Sequence, residues 1–145
     1  GNDDHIVLDL AGEIALPAPG GGARLWFAGG LLGHWACWTH KAVELFHQCQ
    51  TARQAGLIPP ELLTLATQVT DCNAAFFDVA NGFRGCIAGC HEVLRRQGLL
   101  EGVWCLDPAE GLSPGQAAEI DRVQAAYPDL NDDEFVRRHL TRWFA

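Results

Sequence analysis

The sequence predicts an α/β chain that is itself mostly helical, on three observations. A single short apolar run, Ala23-Arg24-Leu25-Trp26-Phe27-Ala28, stops at Gly29-Gly30. From Trp35 onward apolar residues recur every three or four positions, and helix-entrance residues precede the later apolar stripes. The order is strand, then helix, then further helices, with no internal repeat.

Residues 1 to 22 close with Pro17-Ala18-Pro19-Gly20-Gly21-Gly22, which cannot continue a helix and reads as a surface connection. The run from Ala23 to Ala28 is apolar enough to predict a strand buried on both faces. Trp38, Ala42, Leu45, Phe46, Cys49 and Ala52 then form one face of a helix, with Gly56 as its cap. Pro59-Pro60 opens a second helix, whose stripe of Leu62, Leu65, Ala66, Val69, Cys72, Phe76 and Val79 runs to Asn81-Gly82. A third carries Cys86, Ile87, Cys90, Val93 and Leu94 and ends at Gly98, and Gly85 and Gly89 predict close approach of another backbone. Ser113-Pro114-Gly115-Gln116 sets a cap, a first-turn proline and a capping-box partner for a fourth helix. Asn131 followed by Asp132, Asp133 and Glu134 opens a fifth, with Arg137, Arg138 and Arg142 toward its negative end.

The 145 residues, 48% hydrophobic and 19% charged, have an ordinary globular composition. A compact domain of about this length buries roughly two thirds of its unfolded surface, so no metal or disulfide staple is required. The net charge of −8 and the single lysine, Lys41, leave no basic patch for a phosphate backbone, which argues against nucleic acid as a partner. No apolar run approaches the ~20 residues of a membrane span, so no membrane partner is expected and a cytoplasmic location is. There the six cysteines are expected as free thiols. The polar opening Gly1-Asn2-Asp3-Asp4 and the absence of methionine read as the later part of a longer polypeptide.

The opening Gly1 to Leu10, the strand ending at Gly29-Gly30 and the helix from Trp35 resemble the end of a class I aldolase barrel of the dihydrodipicolinate synthase and N-acetylneuraminate lyase family. The tail from Leu94 to Pro108, with Leu112-Ser113-Pro114-Gly115-Gln116, resembles the carboxy-terminal extension of a divergent branch. The resemblance implies the carboxy-terminal part of a (β/α)8 TIM barrel over residues 1–56, and a helical extension packed on the barrel over 57–145. It implies a lyase that forms a Schiff base between a lysine of the sixth strand and pyruvate or a related small 2-oxo acid, as a homo-oligomer and with no cofactor. A desolvated lysine amine loses its proton readily and so becomes nucleophilic. That strand and its tyrosine partner would precede Gly1, and the isolated segment would not turn over. Asn2, Asp3, Gly29 and Gly30 match strand ends facing the pocket mouth, as substrate-binding positions. Asn2 departs from the family's simpler Gly-Asp-Asp turn, and Gly20-Gly21-Gly22 forms an insertion.

No catalytic or metal-ligating residue is assigned within the chain. Lys41 reads as a solvated helix-surface lysine. Cys37-x2-His40 and Cys86-x3-Cys90-His91 contain zinc-type ligands without a Cys-x2-Cys pair, and the cysteines of the apolar stripes read as small core residues. Asn73 lies beside the buried stripe of the second helix and is expected to brace a neighbour. The acidic run Asp129 to Glu134 reads as capping and solvation. The competing expectation is a self-contained helical module that binds partner protein through exposed apolar stripes.

Overall fold

Helices dominate the computed structural model, which describes residues 5–31 and 33–145. Asn2 and Asp3 lie outside the described residues. The first helix, α1 (Ile6–Ala11), buries Ile6, Val7, Leu10 and Ala11. It leads into a hairpin of β1 (Ile14–Leu16) and β2 (Ala23–Leu25), paired antiparallel with Ile14 opposite Leu25 and Leu16 opposite Ala23. The Pro17 to Gly22 connection is the surface turn that its composition predicts, with left-handed backbone at Gly20 and Gly21.

The strand expectation needs correction. β2 covers only Ala23–Leu25 and is exposed throughout, not buried on both faces. Its one partner is β1, and Leu25, Trp26 and Phe27 each keep 47% of their surface exposed. The pairing with Ile14 to Leu16 is made possible by the proline-glycine turn, which brings two short apolar runs together without covering them.

A 3-10 turn at Gly33–Ala36 enters α2 (Thr39–Ala55), which buries Ala42, Leu45, Cys49 and Ala52 along the predicted stripe. It ends as expected at left-handed Gly56, where the N–H groups of Gly56 and Leu57 return to the carbonyls of Arg53 and Ala52. The second long helix, α3 (Pro60–Phe76), starts at the predicted proline but stops before Val79. Asp78 takes left-handed backbone at φ 58°, and its carboxylate accepts the Asn81 side-chain amide at 2.7 Å and the Gly85 N–H at 2.9 Å. These bonds turn the chain out of the helix and leave Val79 exposed.

The cysteine-rich helix is α4 (Cys86–Arg96), closed at left-handed Gly98 by bonds from Gly98 and Leu99 to the carbonyls of Arg95 and Leu94. The expected close approach is present: a Cβ on Gly89 would collide with the Phe76 carbonyl oxygen of α3. Gln116 begins α5 (Gln116–Ala126), later than the motif predicts: left-handed Gly115 (φ 85°) is its N-cap, so Ser113 and Pro114 lie outside the helix, and the Gln116 side chain accepts the Ser113 N–H at 3.1 Å. The same buried amide donates to the carbonyls of Gly85 at 2.9 Å and Phe76 at 3.3 Å, joining three segments.

The last helix, α6 (Asp133–Trp143), begins within the acidic run, but Asp132 does not cap it through its side chain. Asp132 instead accepts the N–H groups of His40 at 2.7 Å and Lys41 at 2.8 Å, in the first turn of α2. One buried cluster joins Leu10, Trp38 and Leu45 to Leu62, Val69, Phe76, Ile120 and Val123, and so runs across the expected boundary at residue 56.

Candidate functional site

The segment after β2 carries the chain to the edge of α2 and forms one wall of an apolar cavity of about 590 Å³. Ala28, Gly29, Gly30 and Leu31 line one side, Trp35, Val43 and Phe46 another, and Phe77 and Cys90 complete it. Arg53 of α2 donates to the Phe27 carbonyl at 3.2 Å and ties the segment down.

Gly29 and Gly30, the two predicted substrate-binding residues that are described, both line this cavity, but for different reasons. A Cβ on Gly29 would face open space, so the backbone there is accessible to another group. A Cβ on Gly30 would meet the Ile6 side chain at 2.7 Å and the Trp35 ring at 3.4 Å, so that glycine lets α1 and the 3-10 turn close on the segment. The sequence does not mark Val43, Phe46 or Phe77 as site residues, and it presents Cys90 only as a zinc-type ligand or a small core residue. The available signal was Val43, an apolar side chain off the buried stripe of α2 and 48% exposed.

Behind the cavity, His34 is fixed by α3. Its ring Nδ1 lies 2.5 Å from Asn73 Oδ1, and its backbone N–H donates to the same oxygen at 3.4 Å. Asn73 thus braces the neighbouring turn, as expected of a buried amide on that stripe. The edge-on rings of Trp38 and Phe76 enclose the imidazole, at centroid separations of 5.7 and 5.8 Å. Burial pushes the His34 pKa down to about 4 despite the Asn73 bond, so the ring is neutral near pH 7. It acts here as a structural pin for the turn that positions Trp35.

The remaining titratable groups are spread over the helices. Lys41 pairs with Glu44 at 2.8 Å and does not line the cavity. His40 pairs with Glu44 at 3.1 Å and stacks on Phe135 at 4.1 Å. Of the zinc-type residues, Cys37 meets Cys90 across the core, whereas His40 faces α6. Among the described residues, no three His, Cys, Asp or Glu side chains converge as metal ligands. Nor is any helix among them long and apolar enough to cross a membrane. The cavity therefore offers backbone, apolar surface, the Thr39 hydroxyl that donates to the Trp35 carbonyl at 2.7 Å, and one thiol, and any amine that reacted there would have to come from another segment. No family model, curated protein or solved structure matches this chain.

Proposed function

We propose that this chain is the carboxy-terminal segment of a Schiff-base-forming aldolase or lyase acting on pyruvate or a related 2-oxo acid. In that reading it supplies the last strand, the glycine-lined pocket edge and a helical buttress, while the reactive lysine comes from an earlier strand. The observation that carries the reading is the apolar run through Leu25, Trp26 and Phe27, each 47% exposed and leading into Gly29 at the cavity. In extended chain, consecutive side chains point to opposite sides. An apolar pair such as Trp26-Phe27 is therefore satisfied on both sides only where a sheet is covered on both faces, as in a parallel barrel. In chain order, β2 lies between α1 and α2, with β1 paired antiparallel to it.

The test is a borohydride trap with pyruvate on the product of the complete reading frame that encodes this chain. The expected result is a reduced pyruvyl adduct on a lysine other than Lys41. An unmodified protein, or an adduct confined to Lys41, overturns the proposal and leaves the same exposed surface to the reading as a protein-interaction module.

A further inference from the structure

Cys37 and Cys90 stand 53 positions apart, yet the fold brings them together. Cys37 lies between the 3-10 turn and α2, and Cys90 lies on α4. The buried Cys37 thiol lies 3.5 Å from the Cys90 backbone carbonyl, which places the two cysteines side by side in the fold. Cys90 forms part of the cavity wall, with Cys37 next to it on the inner side. This arrangement gives one sulfur an approach from outside and the other a protected position as its partner.

The surroundings separate this pair from the other cysteines. Hydrogen bonding from Cys37 lowers the Cys90 pKa against the opposing effect of burial. The same contact, with burial, holds the Cys37 thiol protonated. Burial raises Cys49, pointed at the Val7 carbonyl, to about 11 and Cys72 to about 12. Burial also raises Cys86, and burial with the carboxylates of Glu110 and Asp107 raises Cys105. Because the thiolate is the reacting form, Cys90 is the cysteine these surroundings favour.

We propose that Cys37 and Cys90 form an oxidisable thiol pair that closes to a disulfide when an apolar organic hydroperoxide enters the cavity and reacts at Cys90. In the first step the Cys90 thiolate attacks the terminal peroxide oxygen. The O–O bond breaks, sulfur is oxidised to the sulfenic acid, and the organic alkoxide leaves as the alcohol after taking the proton that Cys90 gave up. Cys37 sulfur then attacks Cys90 sulfur. The S–S bond forms, the S–O bond breaks, and hydroxide leaves with the Cys37 proton as water. Two thiols and one hydroperoxide thus give one disulfide, one alcohol and one water. The bond would tie the turn after Gly33 to α4 across the cavity wall. The proposal uses only residues of this chain and is independent of the Schiff-base reading.

The test treats the reduced chain with cumene hydroperoxide, or with hydrogen peroxide at equal concentration, and maps disulfides by non-reducing digestion and mass spectrometry. The expected product is a Cys37–Cys90 linkage, formed faster with cumene hydroperoxide because the cavity is apolar. Oxidation that begins at Cys86 or Cys105, a different linkage, or faster reaction with hydrogen peroxide overturns it. Cys37→Ser should stop Cys90 at a sulfenic acid that dimedone captures, and absence of that adduct in a folded variant counts against the pair. Timed maleimide labelling of the unaltered chain is a check that needs no variant: Cys90 should react before Cys86 and Cys105, and the opposite order refutes the assignment.

Discussion

Replacing Asp132 with alanine should destabilise α2 from a position 92 residues away in sequence. Trp38 occupies the N-cap position of α2 and provides no side-chain acceptor, while the second and third N–H groups of the helix bond to Asp132. Asp132 therefore performs the N-cap function from another segment. Loss of a helix cap costs about 0.5–2 kcal/mol, and a hydrogen bond to a charged group contributes about 1.5–3 kcal/mol. Burial acts in the opposite direction: it raises the Asp132 pKa, so alanine relieves the cost of keeping a desolvated carboxylate. Together these effects predict a loss of about 2 kcal/mol for Asp132→Ala, read as a lower urea midpoint with unchanged slope. Asp132→Asn keeps one acceptor oxygen and should lose less. Hydrogen exchange adds a local check, because the His40 and Lys41 amides should lose protection before those in the middle of α2. A change in Asp132→Ala below about 0.5 kcal/mol, the range of ordinary surface substitutions, would refute the capping argument.

Gly89→Ala should cost about 3 kcal/mol, since its Cβ would collide with the Phe76 carbonyl and the Gln116 amide that bonds to it. Gly29→Ala, facing open space, is the matched control, and equal urea midpoints for the two variants would contradict the close approach. Acid should weaken the fold in two stages, measured as Tm against pH. The His34 pKa falls from 6.5 to about 4 on folding through burial, so stability present above pH 6.5 is lost as pH drops toward 4. The Glu92 pKa falls from 4.5 to about 2, chiefly through its bond to Arg95, so a second loss runs from pH 4.5 down toward 2. Glu92→Gln should reduce the second stage, to which the carboxylates of Asp71 and Asp78, also held low, contribute, and leave the first, and a wild-type Tm constant between pH 6.5 and 4 would exclude the His34 contribution.

The helices were legible because their signals are local. Gly56, Pro60 and Gly98 mark ends that the backbone uses, and the stripe from Leu62 to Phe76 is buried as its spacing predicts. The hairpin was less legible, because an apolar run specifies a preference for burial without specifying what covers it. Val79 continued the period of α3, but the competing carboxylate of Asp78 ended the helix first. Gly29 and Gly30 line the cavity from the segment after β2, whereas Phe77 and Cys90 arrive there from segments far along the chain. Asp132 shows the same limit: its type and position fit an N-cap, but which helix it caps depends on tertiary packing.

This long-range cap also has a consequence for synthesis on the ribosome. Translation proceeds from the amino terminus, so all of α2 is made before the carboxylate that accepts its first-turn amides. Until residue 132 emerges, that end of α2 can satisfy those amides with water. The nascent cavity wall formed by Val43 and Phe46 would therefore acquire its final support only once residue 132 has emerged, after the whole of α2 is made.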